Sequence, residues 1–172
     1  RTFNIMMRYL LSIPLFFITT VVLAQSGADT TGMSPLKTMS YVQYKAYIDG
    51  IDQFNLAGVA SLNHYAEPQK ALNWKRELDL SVVQVTDITS INSTLVRKMK
   101  EMGDFIVKNE RALDEMFRTK KVTDGTLIFY TNRYGLYQGE MRNAVLQAAV
   151  KVQAILTPAQ RKKYEQLQKL NH

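Results

Sequence analysis

The sequence predicts an all-α protein whose centre is a long antiparallel helical hairpin with shorter flanking helices. Two motifs of the form L-(S/T)-x-x-Q, which is a helix-start signature, occur at 80–84 and 156–160. Between them, two long segments carry apolar residues at three- and four-residue spacing, which is the period of an amphipathic helix. Residues 127–130 form the only strand-like run, and a run so short and isolated has no partner to pair with.

Both motifs are predicted to be capping boxes. A Ser or Thr side chain at the N-cap accepts a hydrogen bond from the backbone N–H three residues on, and a Gln side chain at that position reaches back to the N-cap N–H. In the second motif, Pro158 falls at the first helical position, where proline is favoured. The motif residues are therefore assigned a structural role: Leu80, Ser81, Gln84, Leu156, Thr157 and Gln160.

The first 24 residues have the pattern of a secretory signal peptide. Arg1 and Arg8 precede an apolar run over 9–24, which ends with small residues at Val22 and Ala24. This pattern predicts cleavage after Ala24 and export. A membrane anchor is the alternative, but the run is short for a span and contains Pro14. The chain has no Cys, which excludes a lipid-modified cysteine and a disulfide framework.

The remainder is predicted to be a disordered segment at 25–40 followed by a single helical domain at 41–172. Residues 41–65 have a Tyr-rich stripe at helical spacing and predict one helix, weakened by Gly50 and Gly58. The stripe is either core or a surface that faces a client or lipid. Pro68 then begins a short helix over 68–77, with Trp74 on its apolar side.

The first long helix is predicted to run from Ser81 for about 38 residues, with Gly103 as a candidate bend. The second is predicted over 123–155, antiparallel to the first, after a short turn at 120–124. Gly135 and Gly139 in this helix indicate either a close backbone approach or tolerated glycines. Thr157 begins the last helix.

The sequence offers little support for catalysis or metal binding. It has no Cys and only two His, and it lacks the common hydrolase, zinc-protease and phosphate-loop motifs. His64 and Glu67 are three residues apart, but Glu67 precedes Pro68, where a helix normally stops. We therefore predict no enzyme activity, no cofactor and no metal site, and interpret His64 as a surface or loop residue.

The basic residues are more informative. The net charge is +7, and many Lys and Arg lie on the two long helices. Export argues against nucleic acid as a partner and leaves polypeptide, acidic lipid or acidic glycan. Methionines near these residues are either adaptable contacts for varied partners or ordinary core. The predicted client-binding residues are Arg97, Lys98, Lys108, Arg111, Arg133 and Arg142.

The two motifs, the amphipathic helices between them and the signal-like N-terminus resemble the LTXXQ family of periplasmic stress proteins, which includes the Spy, CpxP, ZraP and CnrX-type proteins. The resemblance covers roughly residues 68–170, with Ser81 replacing Thr in the first motif. It implies a curved, cradle-like dimer and an ATP-independent chaperone that holds unfolded clients on a basic concave face. CpxP-like members also restrain a sensor kinase.

The expected function is therefore a periplasmic chaperone or envelope-stress adaptor, with unfolded or misfolded envelope proteins, a sensor kinase and a second copy of the chain as partners. The alternative is a periplasmic sensor or metal-responsive regulator of an inner-membrane partner. The metal-sensing branch relies on extra His and acidic ligands that this sequence lacks. A structural or membrane-surface role is a third interpretation.

Overall fold

The computed structural model describes residues 32–170. In this part of the chain the secondary structure is entirely helical. The helices are α1 (Tyr41–Asp49), α2 (Gly58–Leu62), α3 (Pro68–Asn73), α4 (Val82–Arg118), α5 (Asp124–Ile155) and α6 (Pro158–Leu170). The all-α fold with a long helix pair is confirmed. The predicted signal peptide and the start of the predicted disordered segment lie outside the described residues.

The two long helices begin and end where local sequence dictates. Ser81 caps α4, and its side chain accepts from the N–H of Gln84, whose side chain in turn caps the Ser81 N–H. The helix ends at Arg118, and a turn with Lys120 at φ 56° leads to Thr123, which caps α5 with a box completed by Thr126. α4 and α5 pack along each other and form the predicted hairpin.

The predicted single helix over 41–65 is wrong. α1 ends at Gly50, which adopts the left-handed conformation at φ 70° that glycine tolerates best. The Asp52 carboxylate then accepts hydrogen bonds from the N–H groups of Phe54, Leu56 and Ala57. Because these groups bond to a side chain, the chain forms a compact loop before α2. Similarly, α3 ends at Asn73 and does not reach residue 77.

α1 covers one face of the hairpin by direct contact of its backbone with α4. A Cβ on Gly103 would overlap the carbonyl oxygen of Tyr47 and lie 2.9 Å from its Cα. The absence of a side chain at Gly103 therefore allows the backbone of α1 to pack directly against α4. The Tyr47 side chain is 3% exposed and belongs to a core cluster with Met99, Ile106 and Met141, so this member of the Tyr-rich stripe is core.

A second core cluster lies at the base of the hairpin, where α3 and α6 pack. Tyr164 is fully buried, and its hydroxyl accepts a hydrogen bond of 3.1 Å from the Glu67 N–H. Its ring meets Trp74 edge-on at 5.2 Å. Burial raises the pKa of Tyr164 to about 12, so its hydroxyl stays protonated at physiological pH. Ile88 and Val152 complete the contact with the hairpin.

The segment before α1 also joins the fold. Leu36 is 5% exposed and packs in the first cluster, and Met39 lies against it. Ser40 caps α1 with a box completed by Gln43. The C-terminal end of the predicted disordered segment at 25–40 is therefore part of the fold, because Leu36 and Met39 pack in the first core cluster.

Candidate functional site

One face of the hairpin is open. The face opposite α1 carries two depressions end to end between α4 and α5, which we call the hairpin groove. The distal half lies towards the turn, and the proximal half lies towards the motifs. The residues that line the two halves recur at three- and four-residue spacing, so both halves lie on the same side of each helix. The distal half is lined by Phe105, Lys108, Asn109, Ala112, Phe129, Tyr130, Arg133 and Tyr137.

The distal half combines aromatic rings with a fixed cation. The rings of Phe105 and Tyr137 stack across the two helices with centroids 5.1 Å apart. The Arg133 guanidinium lies 4.9 Å from the centroid of Phe129, and its Nε donates a 2.9 Å hydrogen bond to the Tyr137 hydroxyl. Because a guanidinium has five N–H donors, Arg133 is positioned by its own helix and keeps donors for a ligand.

The floor of the distal half contains an unmatched acceptor. Asn109 is 4% exposed, and its Nδ2 donates to the backbone oxygen of Tyr130 at 3.1 Å. Its Oδ1 has no hydrogen-bond partner among the described residues. A buried acceptor without a donor costs about 1–3 kcal/mol. Because this Oδ1 is buried, a bound N–H group can reach it only if the Asn109 side chain turns towards the groove. Sequence reasoning missed Asn109, because a lone Asn within an amphipathic helix gives no distinctive signal.

The proximal half is mainly charged and carries both signs. Lys98 Nζ lies 3.2 Å from a carboxylate oxygen of Glu140, and this pair bridges α4 and α5. Both side chains are partly exposed, so the pair contributes at most about 1 kcal/mol. Arg97, Glu101 and Lys151 line the same half. This half can hold a polar segment, but unlike the distal half it has no aromatic side chain in its lining.

The structure brings four of the six predicted client-binding residues together. Arg97 and Lys98 line the proximal half, and Lys108 and Arg133 line the distal half. Arg111 is exposed to solvent, but it does not line either half of the groove. Arg142 follows Arg133 by nine residues, a rotation of about 180° on an α-helix. It therefore lies on the opposite side of α5.

The two L-(S/T)-x-x-Q motifs meet at the base of the hairpin. In the second motif, the Gln160 side chain accepts from the Thr157 N–H at 2.9 Å, and Thr157 Oγ1 accepts from the Gln160 N–H at 3.3 Å. The amides of Gln84 and Gln160 also pair, with Nε2 to Oε1 distances of 2.8 and 3.0 Å.

Each glutamine of this pair also binds the chain beside the other motif. Gln84 donates to the oxygen of Ile155 at the end of α5, and Gln160 donates to the oxygen of Asp79. Leu156, 1% exposed, packs in the base cluster with Leu80 beside it. Both motifs form capping boxes, and together they join the start of α4 to the end of α5.

A family model described as LTXXQ motif family protein matches residues 67–168. The chain belongs to the LTXXQ motif family. Searches of curated proteins and of solved structures gave no match. The matched range contains α3 to α5, all but the last two residues of α6, both motifs and the whole hairpin groove, whereas α1 and α2 lie before it. Membership in the LTXXQ family is consistent with a periplasmic, stress-related protein.

Among residues 32–170, no three His, Cys, Asp or Glu side chains are grouped so that they could hold a metal ion. His64 is tied to α6, with Nδ1 2.8 Å from Gln168 Oε1 and Nε2 3.7 Å from Glu165. No helix in the described range is long and apolar enough to cross a membrane.

Proposed function

We propose that this LTXXQ protein is a periplasmic, ATP-independent chaperone or envelope-stress adaptor that holds unfolded polypeptides in the hairpin groove. The observation that carries the proposal is the distal half of the groove. Arg133 is held there between aromatic rings, above a buried acceptor on Asn109.

This combination suits an unfolded chain better than a defined small molecule. An unfolded polypeptide exposes apolar side chains, carboxylates and unpaired backbone N–H groups. The groove offers aromatic rings for apolar side chains, and Arg133 and Lys108 for carboxylates. Asn109 offers an acceptor for a backbone N–H once its side chain turns towards the groove. It is an open surface that can accept varied sequences, and the positive charge of the chain accelerates encounter with acidic segments.

We also propose that the distal end of the hairpin mediates homodimer formation. Phe117 and Ile128 are 57% and 60% exposed there, and Leu136, further along α5, is 60% exposed. Exposed apolar surface of this kind commonly marks an interface. Sedimentation equilibrium of wild type and Ile128→Lys tests the dimer. An unchanged mass in the variant contradicts this interface.

A sensor kinase is a further proposed partner, supported by family membership alone.

The chaperone function is tested by light scattering from an aggregating denatured client, with purified protein lacking residues 1–24 and without nucleotide. We expect suppression of scattering at near-stoichiometric ratios. Added salt should slow capture, because steering by charge is screened within about 8–10 Å at physiological ionic strength. Undiminished aggregation at several-fold excess of protein contradicts the chaperone proposal and favours a dedicated adaptor role.

A further inference from the structure

The covered side of the hairpin contains a cavity that the client groove does not use. It has a volume of about 240 Å³ and lies between the α1–α2 loop, α3 and α4. Its wall includes Ala57, Leu95, Val96, Met99 and Val145. Met99 and Val145 are 1% and 6% exposed, so the cavity reaches the core of the domain.

The polar side chains at its mouth already take part in hydrogen bonds or ion pairs. Both oxygens of Asp52 accept backbone N–H groups of the α1–α2 loop. Asn92 donates to Gln69 at 3.0 Å, and Glu67 pairs with Lys70 at 2.8 Å. A ligand with its own charge or hydrogen-bonding groups would compete with these contacts, whereas an apolar ligand would leave them in place.

We propose that this cavity binds a small uncharged apolar molecule, aromatic or with a short acyl chain. A dry apolar cavity of about 150 Å³ is enough to bind benzene, so the larger cavity accommodates a ring with a substituent. Two carboxylates at the mouth, Asp52 and Glu67, also disfavour an anion.

Occupancy has a structural consequence for the flanking helices. The α1–α2 loop forms one wall through Ile51 and Ala57, and Gly50 at its start is left-handed. A ligand that contacts this loop and α4 together adds apolar contact between them. It therefore stabilises the docking of α1 on the hairpin, on the side away from the client groove. This ligand site is separate from the proposed chaperone function.

The test uses 4-fluorotoluene as the probe and ¹⁹F NMR line broadening as the readout, with 4-fluorobenzoate as the charged counterpart. We expect saturable 1:1 binding of fluorotoluene, binding of the benzoate at least tenfold weaker, and a higher melting temperature with fluorotoluene. Absence of fluorotoluene binding to folded wild type at millimolar concentration, or equal binding of the benzoate, overturns the proposal.

Two substitutions that fill the cavity locate the site. Val96→Phe fills it from α4 and Ala57→Leu from the loop, and each should weaken fluorotoluene binding at least tenfold. Val150→Phe on α5 is the matched control, since Val150 is 56% exposed and lies outside the cavity lining. If either filling variant keeps its native circular dichroism and binds as tightly as wild type, the site is wrong. If both variants unfold, probe-induced chemical shifts confined to the cavity lining in wild type support the site, and shifts elsewhere overturn it.

Discussion

Substitution of Gly103 by Ala probes how α1 is held on the hairpin. The added Cβ would overlap the carbonyl oxygen of Tyr47 and approach its Cα to 2.9 Å. These are backbone atoms, which cannot rotate away as a side-chain end could. Either α1 moves away from α4, which exposes the Tyr47 side chain, or α1 stays in place and the contact is strained.

The magnitude follows from two opposing effects. Overpacking a filled site costs about 1–3 kcal/mol, and a clash with backbone belongs at the upper end. Replacing Gly by Ala in a helix interior recovers about 1 kcal/mol. We therefore expect Gly103→Ala to lower the free energy of unfolding by about 2 kcal/mol, measured by urea denaturation followed by circular dichroism.

Gly139 provides the matched control. It lies within α5, and a Cβ there would meet no other atom within 4 Å. Only the helix-propensity effect remains, so Gly139→Ala should raise the free energy of unfolding by up to about 1 kcal/mol. Both substitutions replace a helical Gly by Ala, but their effects on the free energy of unfolding should have opposite signs. Stabilisation by both would refute the close contact between α1 and α4.

Further predictions concern the motifs and one half-buried carboxylate. Gln84→Ala and Gln160→Ala should be non-additive in urea denaturation, with a coupling of about 0.5–3 kcal/mol; additive effects would contradict the paired amides. Thr157→Ala should lower the free energy of unfolding by about 0.5–2 kcal/mol through loss of its cap, and an unchanged thermal melt would contradict that role. Burial raises the pKa of Glu110, so the folded state holds this proton more tightly than the unfolded state. Stability should therefore rise as pH falls from neutral through that raised pKa, and Glu110→Gln should flatten the rise; an identical pH profile in the variant would argue against burial of the charge.

The features that sequence predicted best are local. The boxes at Ser81 and Thr157 lie at the residues that the sequence predicts, because a capping box is specified within four residues. The length of α4 followed from uninterrupted apolar periodicity up to Arg118. Membership in the LTXXQ family followed from the same two motifs.

The features that sequence missed depend on contacts distant in the chain or on competing side chains. The break after α1 arises because Asp52 takes N–H groups that a helix would bond internally. The pairing of Gln84 with Gln160 appears only when the ends of the two long helices meet. For Arg142, net charge alone gave no information about which side of α5 it occupies.

The central claim is that the open groove, and not positive charge in general, holds the client. Arg133→Gln and Arg142→Gln each remove one charge from α5, on opposite sides of the helix. Binding of a fluorescently labelled unfolded polypeptide, measured by anisotropy, should weaken about tenfold or more in Arg133→Gln, since a hydrogen bond to a charged group contributes about 1.5–3 kcal/mol. Arg142→Gln should bind nearly as wild type. Equal losses in the two variants would contradict the groove as the client-binding surface.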